Sequence, residues 1–253
     1  MKIGNVFSTL EKFAPISISN ELVKAFNGYD NSGIIASVED EIKGVIFTLD
    51  LTEKSVETAI ENGANLIVTH HPAIYAPIKT VDGALLKCIQ NKIGVISMHL
   101  NLDACKGGID YHLANGLGGV EQKIVTELSS GCGYGRVFEF NESFNSLKKR
   151  YQEVFSTDKV MAFGNLDKKI EKVASFCGSG LDINEVDGLS YVDAFVSADI
   201  KHHVILYALE RGKCVLQVSH YSSEVYGFRK FYNEIKSQLS GLNCVFFENQ
   251  DMI

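Results

Sequence analysis

The sequence predicts an α/β fold built from two related halves with mainly parallel sheets. Short apolar runs alternate with helical segments along the chain, which is typical of βαβ units. Two segments, Leu49–Pro72 and Ala198–Tyr221, also align without a gap at an offset of 149 residues. Each runs from an acid through a helix, a glycine and an apolar strand to a histidine, so the repeat indicates two halves that bring ligands to one site.

Composition and charge limit the classes of protein that the chain can belong to. Of 253 residues, 45% are hydrophobic and 22% charged, which is ordinary for a soluble globular protein. The net charge is −7 and no run of basic residues offers a track for a phosphate backbone, which argues against nucleic-acid binding. No apolar run reaches membrane-spanning length. The six scattered cysteines form no C-x-x-C pair and fit a reducing compartment, so we expect a cytoplasmic protein.

The first segment predicts two helices, a turn and a strand. Apolar residues recur at helical spacing from Ile3 to Phe13, and Pro15 should end this helix because its ring removes a backbone donor. Ser19 is a candidate cap for a second helix that runs toward Phe26. The turn-rich residues 29–33 then precede a strand near residues 34–38.

The first repeat segment predicts a β-α-β unit. Residues 43–49 form a β-branched and aromatic run that suits a buried strand. Thr52 is a plausible N-cap for a helix over residues 55–62, and Gly63 occupies the C′ position after it. The strand over residues 65–69 runs directly into the His-His-Pro motif. A further helix and strand follow, at Gly83–Asn91 and Gly94–Met98.

The second half of the chain repeats this alternation after a less regular middle. A turn, a strand, a helix, a strand, the second repeat segment, a helix and a last strand are predicted at Gly131–Gly135, Val137–Phe140, Phe144–Phe155, Val173–Phe176, Ala194–Glu224, Val225–Leu239 and Cys244–Phe247. No linker-like segment separates the halves. We therefore place the domains at residues 1–125 and 126–253, with an approximate boundary across which elements can be exchanged.

Candidate metal ligands follow the ends of the predicted strands, where ligands collect in open parallel sheets. These residues are Asp50, His70, His71, His99, Asp103, Asp199 and His220. Glu224 lies one helical turn after His220, so both can face one ion. Imidazoles and carboxylates without thiolates suit zinc, iron, manganese, cobalt or nickel. Five or more ligands exceed a single tetrahedral site, which makes two metal ions the natural count.

Several of these residues also have simpler interpretations. Adjacent histidines on an extended segment point in opposite directions, so His70 and His71 would serve two neighbouring ions or one would be structural. Asp50 either caps the following helix or binds metal. His202 and His203 should begin a helix and face solvent or support the site. A structural role is expected for His112. The Gly178-Ser179-Gly180 turn resembles a phosphate-binding loop only weakly, because short glycine pairs are common.

Seven motifs together resemble the Nif-three-like family, also called the GTP cyclohydrolase 1 type 2 homologue family. They span most of the chain in the expected order and include Asp30-Asn31-Ser32-Gly33, Leu49-Asp50-Leu51-Thr52, Thr69-His70-His71-Pro72, His99-Leu100-Asn101-Leu102-Asp103, Gly178-Ser179-Gly180, Asp199-Ile200-Lys201-His202-His203 and His220-Tyr221-Ser222-Ser223-Glu224. Two positions depart from the family pattern. Tyr29 stands where the family often has tryptophan, and Ser197-Ala198-Asp199 replaces the usual Thr-Gly-Asp.

The resemblance implies two similar, intertwined three-layer α/β/α domains with a dinuclear metal site between them. It implies a ring-shaped homohexamer assembled from dimers. Two divalent cations, expected to be zinc, iron or manganese, would be its cofactors. Carried over by motif, the metal ligands are His70, His71, Asp103, His220 and Glu224.

These features predict a metal-dependent hydrolase that acts on a small, nucleotide-like compound. In this hypothesis His99 or Asp199 accepts or relays a proton, although either could instead orient a ligand. Two alternatives keep the metal ions: a phosphoesterase, which two-metal sites frequently support, and a non-catalytic regulatory oligomer held together by its ions. Metal ligation is common to all three.

Overall fold

The computed structural model describes residues 1–252, whose helices and strands alternate along the chain. The helices are α1 Ile3–Phe13, α2 Ile16–Phe26, α3 Glu53–Glu61, α4 Gly83–Gln90, α5 Leu100–Ala104, α6 Ile109–Gly116, α7 Phe144–Val154, α8 Ile183–Gly188, α9 His202–Glu210 and α10 His220–Gln238. The strands are β1 Gly33–Ala36, β2 Gly44–Thr48, β3 Leu66–Thr69, β4 Gly94–Ser97, β5 Lys123–Glu127, β6 Gly133–Ser143, β7 Val160–Phe163, β8 Lys169–Ser175, β9 Ala194–Ala198, β10 Cys214–Val218 and β11 Asn243–Phe246. The predicted α/β class is confirmed.

The described chain divides into two compact units. Unit 1 contains residues 1–106, 128–130 and 228–252, and unit 2 contains residues 107–127 and 131–227. Neither unit is a single continuous segment, and helix α10 begins in unit 2 and ends in unit 1. The division into domains at residues 1–125 and 126–253 stays a prediction.

Unit 1 contains a five-stranded sheet in the order β1-β4-β3-β2-β11. Strands β4, β3, β2 and β11 are parallel neighbours, and β1 pairs antiparallel with β4 at the edge. One face of the sheet packs against α3 and α4, with Ile46, Ile67 and Val95 among the buried residues. Phe47 contacts aromatic residues of α10, with ring centroids 6.3 Å apart for Phe231. The central strands β2, β3 and β4 are mostly apolar and buried along their whole length, because helices contact both of their faces.

Unit 2 contains a six-stranded sheet in the order β5-β6-β8-β9-β10-β7. Its centre, β8-β9-β10, is parallel, whereas the pairings β5-β6, β6-β8 and β10-β7 are antiparallel. The buried core includes Phe176, Phe195 and Val215 and is contributed in part by α8 and α9. The parallel centre is the part of the sheet that carries the second repeat segment.

The sequence repeat corresponds to a structural repeat. The offset of 149 residues relates α3 to α9 at both ends, and each helix connects two parallel strands that are neighbours in their sheet. Gly63 and Gly212 follow these helices with φ values of +63° and +71°. That left-handed conformation favours glycine, which confirms the predicted C′ role of Gly63. Thr52 caps α3 in a capping box with Ser55, as predicted.

The predicted start of the second helix is wrong. Helix α2 begins at Ile16 with Pro15 as its N-cap residue, and Ser19 lies inside the helix. Proline fits this position because its fixed φ suits a helix start. Ser19 is buried and its hydroxyl donates a hydrogen bond to the Asp30 carboxylate. The serine therefore supports the Asp30 turn instead of capping a helix.

Within residues 1–252, no helix combines the length and the apolar character that crossing a bilayer requires.

Candidate functional site

Polar side chains follow the carboxyl ends of three parallel strands in unit 1. Asp50 follows β2, His70 and His71 follow β3, and His99 follows β4. Because these strands are neighbours in the sheet, their ends meet at one edge. Asp103 is added from α5, which begins directly after His99. The structure thus brings these five predicted residues of unit 1 together.

His70 is completely buried and both of its ring nitrogens face acceptors. Its Nδ1 lies 2.8 Å from the carbonyl oxygen of Met98, which can only accept, so Nδ1 carries the proton. Its Nε2 lies 3.4 Å from Oδ1 of Asp103, a carboxylate that is also buried. This tautomer directs the lone pair of Nε2 toward the position where a cation would sit beside Asp103.

His71 lies beside His70, contrary to the predicted opposite directions. The two ring centroids are 4.9 Å apart. The backbone N–H of His70 is shared between the carbonyls of Thr48 and Leu49, at 3.1 and 3.2 Å, and that of His71 donates to Leu49 at 2.9 Å, which bends the chain directly after β3. The segment is therefore not extended, and the alternation of side chains along a strand does not apply.

A carboxylate contacts Nδ1 of the His71 ring. Its Nδ1 lies 2.7 Å from Oδ1 of Asp50. Asp50 does not cap α3, because Thr52 occupies the cap position. Besides a direct metal role, Asp50 can act as the partner of His71. Carboxylates in this position fix the ring orientation and the tautomer of a metal-binding histidine and leave Nε2 as the ligand atom.

His99 is held by the turn that begins at Asp30. Its Nδ1 donates to Oδ1 of Asp30 at 2.7 Å, and its backbone N–H donates to the Ser32 hydroxyl at 3.0 Å. Ser32 and Ser19 both donate to the other oxygen of Asp30. Burial raises the pKa of the Asp30 carboxyl, but hydrogen bonds from His99 and the two serines outweigh this effect and lower the pKa to about 2.

Asp30→Asn should lower the free energy of unfolding by about 2 kcal/mol near neutral pH, the equivalent of the lowered pKa. Because the folded-state pKa lies below the ordinary value of 3.8, this stability is present above pH 3.8 and is lost as the pH falls toward 2. Urea denaturation of the wild-type protein and of Asp30→Asn, at pH 7 and at about pH 3, measures the difference in free energy of unfolding between them. Asp40→Asn, at an exposed carboxylate, is the control. If the difference in free energy of unfolding between wild-type protein and Asp30→Asn is as large at the lower pH as at pH 7, the lowered pKa of Asp30 is contradicted.

Unit 2 repeats the carboxylate–histidine pair at the ends of its own parallel strands. Asp199 follows β9 and His220 follows β10 at the start of α10. Oδ2 of Asp199 lies 2.5 Å from Nδ1 of His220. The sequence repeat aligns this pair with Asp50 and His71, so both units orient a histidine in the same way.

Glu224 completes the group in unit 2. It lies one turn after His220 on α10, is almost fully buried, and places Oε1 3.0 Å from Nε2 of His220. Ala198 is the last residue of β9, and Asp199 takes the left-handed conformation with φ +49°. Aspartate tolerates this conformation better than most residues, which suits the turn that follows Ala198.

The other three histidines are His112, His202 and His203. His202 and His203 are exposed at the start of α9, as predicted. His112 lies in α6, where its ring contacts Tyr111. Sequence reasoning did not assign Asp30 as the partner of His99, although its Asp-Asn-Ser-Gly turn was recognised as a motif. Its 69-residue separation from His99 left no local signal.

Comparison with known proteins confirms the family resemblance. The family model described as Duf34/NIF3 (NGG1p interacting factor 3) matches residues 1–252. A Clostridium acetobutylicum protein named GTP cyclohydrolase 1 type 2 homolog is 31% identical over 236 residues, which cover 88% of this chain and 85% of that protein. Among solved structures, reduced HcgD from Methanocaldococcus jannaschii is 28% identical, with a TM-score of 0.82 and 98% of each chain covered.

A Bacillus cereus protein related to NIF3 has a TM-score of 0.84 over 98% of this chain and 96% of that chain. Its sequence identity is only 17%, so this match supports the fold alone. The family model covers nearly the whole sequence and agrees with the motifs and the fold. On this evidence, the chain belongs to the Duf34/NIF3 family.

Proposed function

We propose that this chain is a metal-dependent hydrolase that acts on a small, nucleotide-like substrate with two divalent cations. The observation that carries the proposal is the repeated pairing of a carboxylate with Nδ1 of a histidine at strand ends, in each unit. Histidines that bind metal ions almost always have the other ring nitrogen held in this way. Several relatives bear the name GTP cyclohydrolase 1 type 2 homolog, which suggests the reaction.

The residues present fit a metal centre by their chemistry. We propose His70, His71, Asp103, His220 and Glu224 as its ligands. In the three histidines, hydrogen bonds occupy Nδ1 and make Nε2 the ligand atom. Imidazole and carboxylate ligands without thiolates suit zinc, iron or manganese.

The side chains around these ligands have roles that their contacts define. Bound divalent cations would lower the pKa of water and stabilise negative charge on the substrate. His99 is the proposed proton acceptor, because Asp30 fixes its Nδ1–H and leaves Nε2 as the ring atom that can take a proton. Asp199 contacts Nδ1 of His220, so we assign it first to the orientation of that ring.

Turnover by metal-loaded protein tests this proposal. The protein is loaded with zinc, iron or manganese and incubated with GTP and with a panel of nucleotide phosphates. The expected result is opening of the purine ring, which is detected as a change in ultraviolet absorbance. Release of phosphate would instead favour the phosphoesterase, and bound metal without turnover of either kind would favour the regulatory oligomer.

Two histidine variants separate catalysis from metal binding. His99→Ala should lower turnover by about 100-fold or more, the usual contribution of a positioned acid or base, while the bound metal is retained. His203→Ala, at an exposed histidine of α9, is the matched control and should leave turnover unchanged. Equal activity of both variants would remove His99 from the mechanism.

We also propose, from the family resemblance, that the protein works in the cytoplasm as a homo-oligomer, with a hexamer as the expected form. The net charge of −7 supports a small-molecule substrate over a nucleic acid. Local cations would offset this charge at the site and permit an anionic substrate to bind.

A further inference from the structure

The turn at Cys177 and Gly178 lies against the two proposed ligands of unit 2. Gly178 has φ +57°, and a Cβ atom there would lie 2.6 Å from Oε1 of Glu224 and 3.2 Å from Nε2 of His220. Only the absence of a side chain allows this approach. The backbone of Gly178 therefore forms one wall of the space that the Glu224 carboxylate occupies.

Hydrogen bonds hold the backbone of Gly178 on both sides. Its N–H donates to the Ser223 hydroxyl at 3.0 Å, and Ser223 directly precedes Glu224 on α10. Its carbonyl accepts from the N–H of Ala198 and from the Ser197 hydroxyl, both at 2.9 Å. These bonds connect the turn both to β9 and to the helix that carries the ligands.

The preceding peptide is held from the other side of unit 2. The N–H of Cys177 donates to Oδ1 of Asp110 at 3.2 Å, and the Tyr134 hydroxyl donates to the carbonyl of Cys177. Asp110 is completely buried in the first turn of α6. Its second oxygen lies 3.4 Å from Nε of Arg136, which is itself 4% exposed on β6.

A buried ion pair of this kind contributes little to the stability of a core. Removing two charges from water costs more than their attraction usually returns, and apolar residues of similar volume often serve equally well. The Asp110–Arg136 pair does something that apolar residues cannot, because Asp110 also accepts the hydrogen bond of the Cys177 N–H. Its location thus indicates a role in fixing the turn.

We propose that Asp110, oriented by Arg136, is a positioning residue for Glu224 and His220 and acts through the Cys177–Gly178 turn. This inference rests on the proposed metal-binding role of those two ligands. Loss of the Asp110 carboxylate would release the Cys177 N–H and allow the turn to shift. Glu224 would then lose the wall that fixes its carboxylate, and the affinity for metal would fall.

The test compares wild-type protein with the double variant Asp110→Leu with Arg136→Met, which removes both charges and leaves no buried ion unpaired. The affinity for Zn²⁺ or Mn²⁺ alone is measured by titration calorimetry, and thermal stability is measured without metal. We expect the affinity to fall about tenfold or more, as for other groups that orient metal ligands. Leu147→Ala, in the core of the same unit, should lower stability and leave affinity unchanged.

A milder variant tests the same turn without touching the ion pair. Tyr134→Phe removes only the hydroxyl that holds the Cys177 carbonyl, and we expect a loss of affinity of about fivefold, the value of one hydrogen bond. The inference is overturned if both the double variant and Tyr134→Phe bind metal within about twofold of the wild-type affinity. Such a change is smaller than the loss of one hydrogen bond would produce.

Crystal structures of the metal-free proteins separate this inference from the proposed function. A wild-type protein that binds none of zinc, iron and manganese would end the proposed function. In that case a Glu224 carboxylate displaced by about 1 Å or more in the double variant still supports the positioning role, since such shifts disable a site. An unmoved Glu224 overturns it.

Discussion

Phe228→Ala is expected to lower the free energy of unfolding by about 3–5 kcal/mol, the usual cost of removing a buried aromatic ring. Phe228 lies on α10 and is completely buried. Its ring centroid is 5.8 Å from that of Phe231 and 5.9 Å from that of Phe246. It also contacts His70, at 6.1 Å between ring centroids. The truncation would therefore leave a cavity beside a proposed metal ligand.

Urea denaturation followed by circular dichroism and tyrosine fluorescence measures this loss, since the chain contains no tryptophan. Phe228→Leu, which keeps most of the volume, should cost less than about 1.5 kcal/mol. Tyr191→Ala, at a tyrosine that is 56% exposed, should cost no more than about 1 kcal/mol, because little beyond its exposed contact with Lys172 is lost. Equal losses at positions 228 and 191 would show that the aromatic cluster is not a packed core.

Glu224→Gln is expected to weaken metal binding by about 100-fold or more, because even groups behind a metal ligand change affinity by 10–100-fold. The amide has the shape of the carboxylate but lacks its negative charge, and charge is what a divalent cation requires here. The fold should remain intact, since the substitution conserves volume in the buried position next to His220. Metal content by elemental analysis and affinity by titration calorimetry measure the effect.

Glu234→Gln is the matched control for this variant. Glu234 lies on the same helix and is exposed, so the same chemical change there should leave metal content unaltered. Unchanged metal stoichiometry in Glu224→Gln, with a normal circular dichroism spectrum, would count against Glu224 as a ligand. A loss of metal in both variants would point to a general effect of charge on α10.

The sequence predicted the elements that short-range patterns encode. The gapless repeat identified both β-α-β units, and Thr52 and Gly63 marked the limits of α3 because capping and the left-handed conformation depend on only a few neighbouring residues. Strand alternation with helices predicted that ligand-type residues would lie at carboxyl ends, where His71 and His220 are found.

Predictions from local geometry were wrong where tertiary contacts changed the backbone. His70 and His71 were expected to point apart, but both backbone N–H groups donate to Leu49, which bends the segment. Ser19 has the side chain of a helix cap and is instead buried in a helix, with Asp30 as its partner. In both cases the deciding contact involves a residue outside the local motif.

The sequence by itself determined the α/β class, the repeat and the positions of the ligand-type residues along the chain. Only the tertiary structure decided which side chains support one another: Asp30 with His99, Asp50 with His71, and Asp110 with the N–H of Cys177. Helix and strand patterns depend on neighbours a few residues away. These partners are between 21 and 69 residues apart, and sheet order, register and side-chain packing alone bring them within hydrogen-bonding distance.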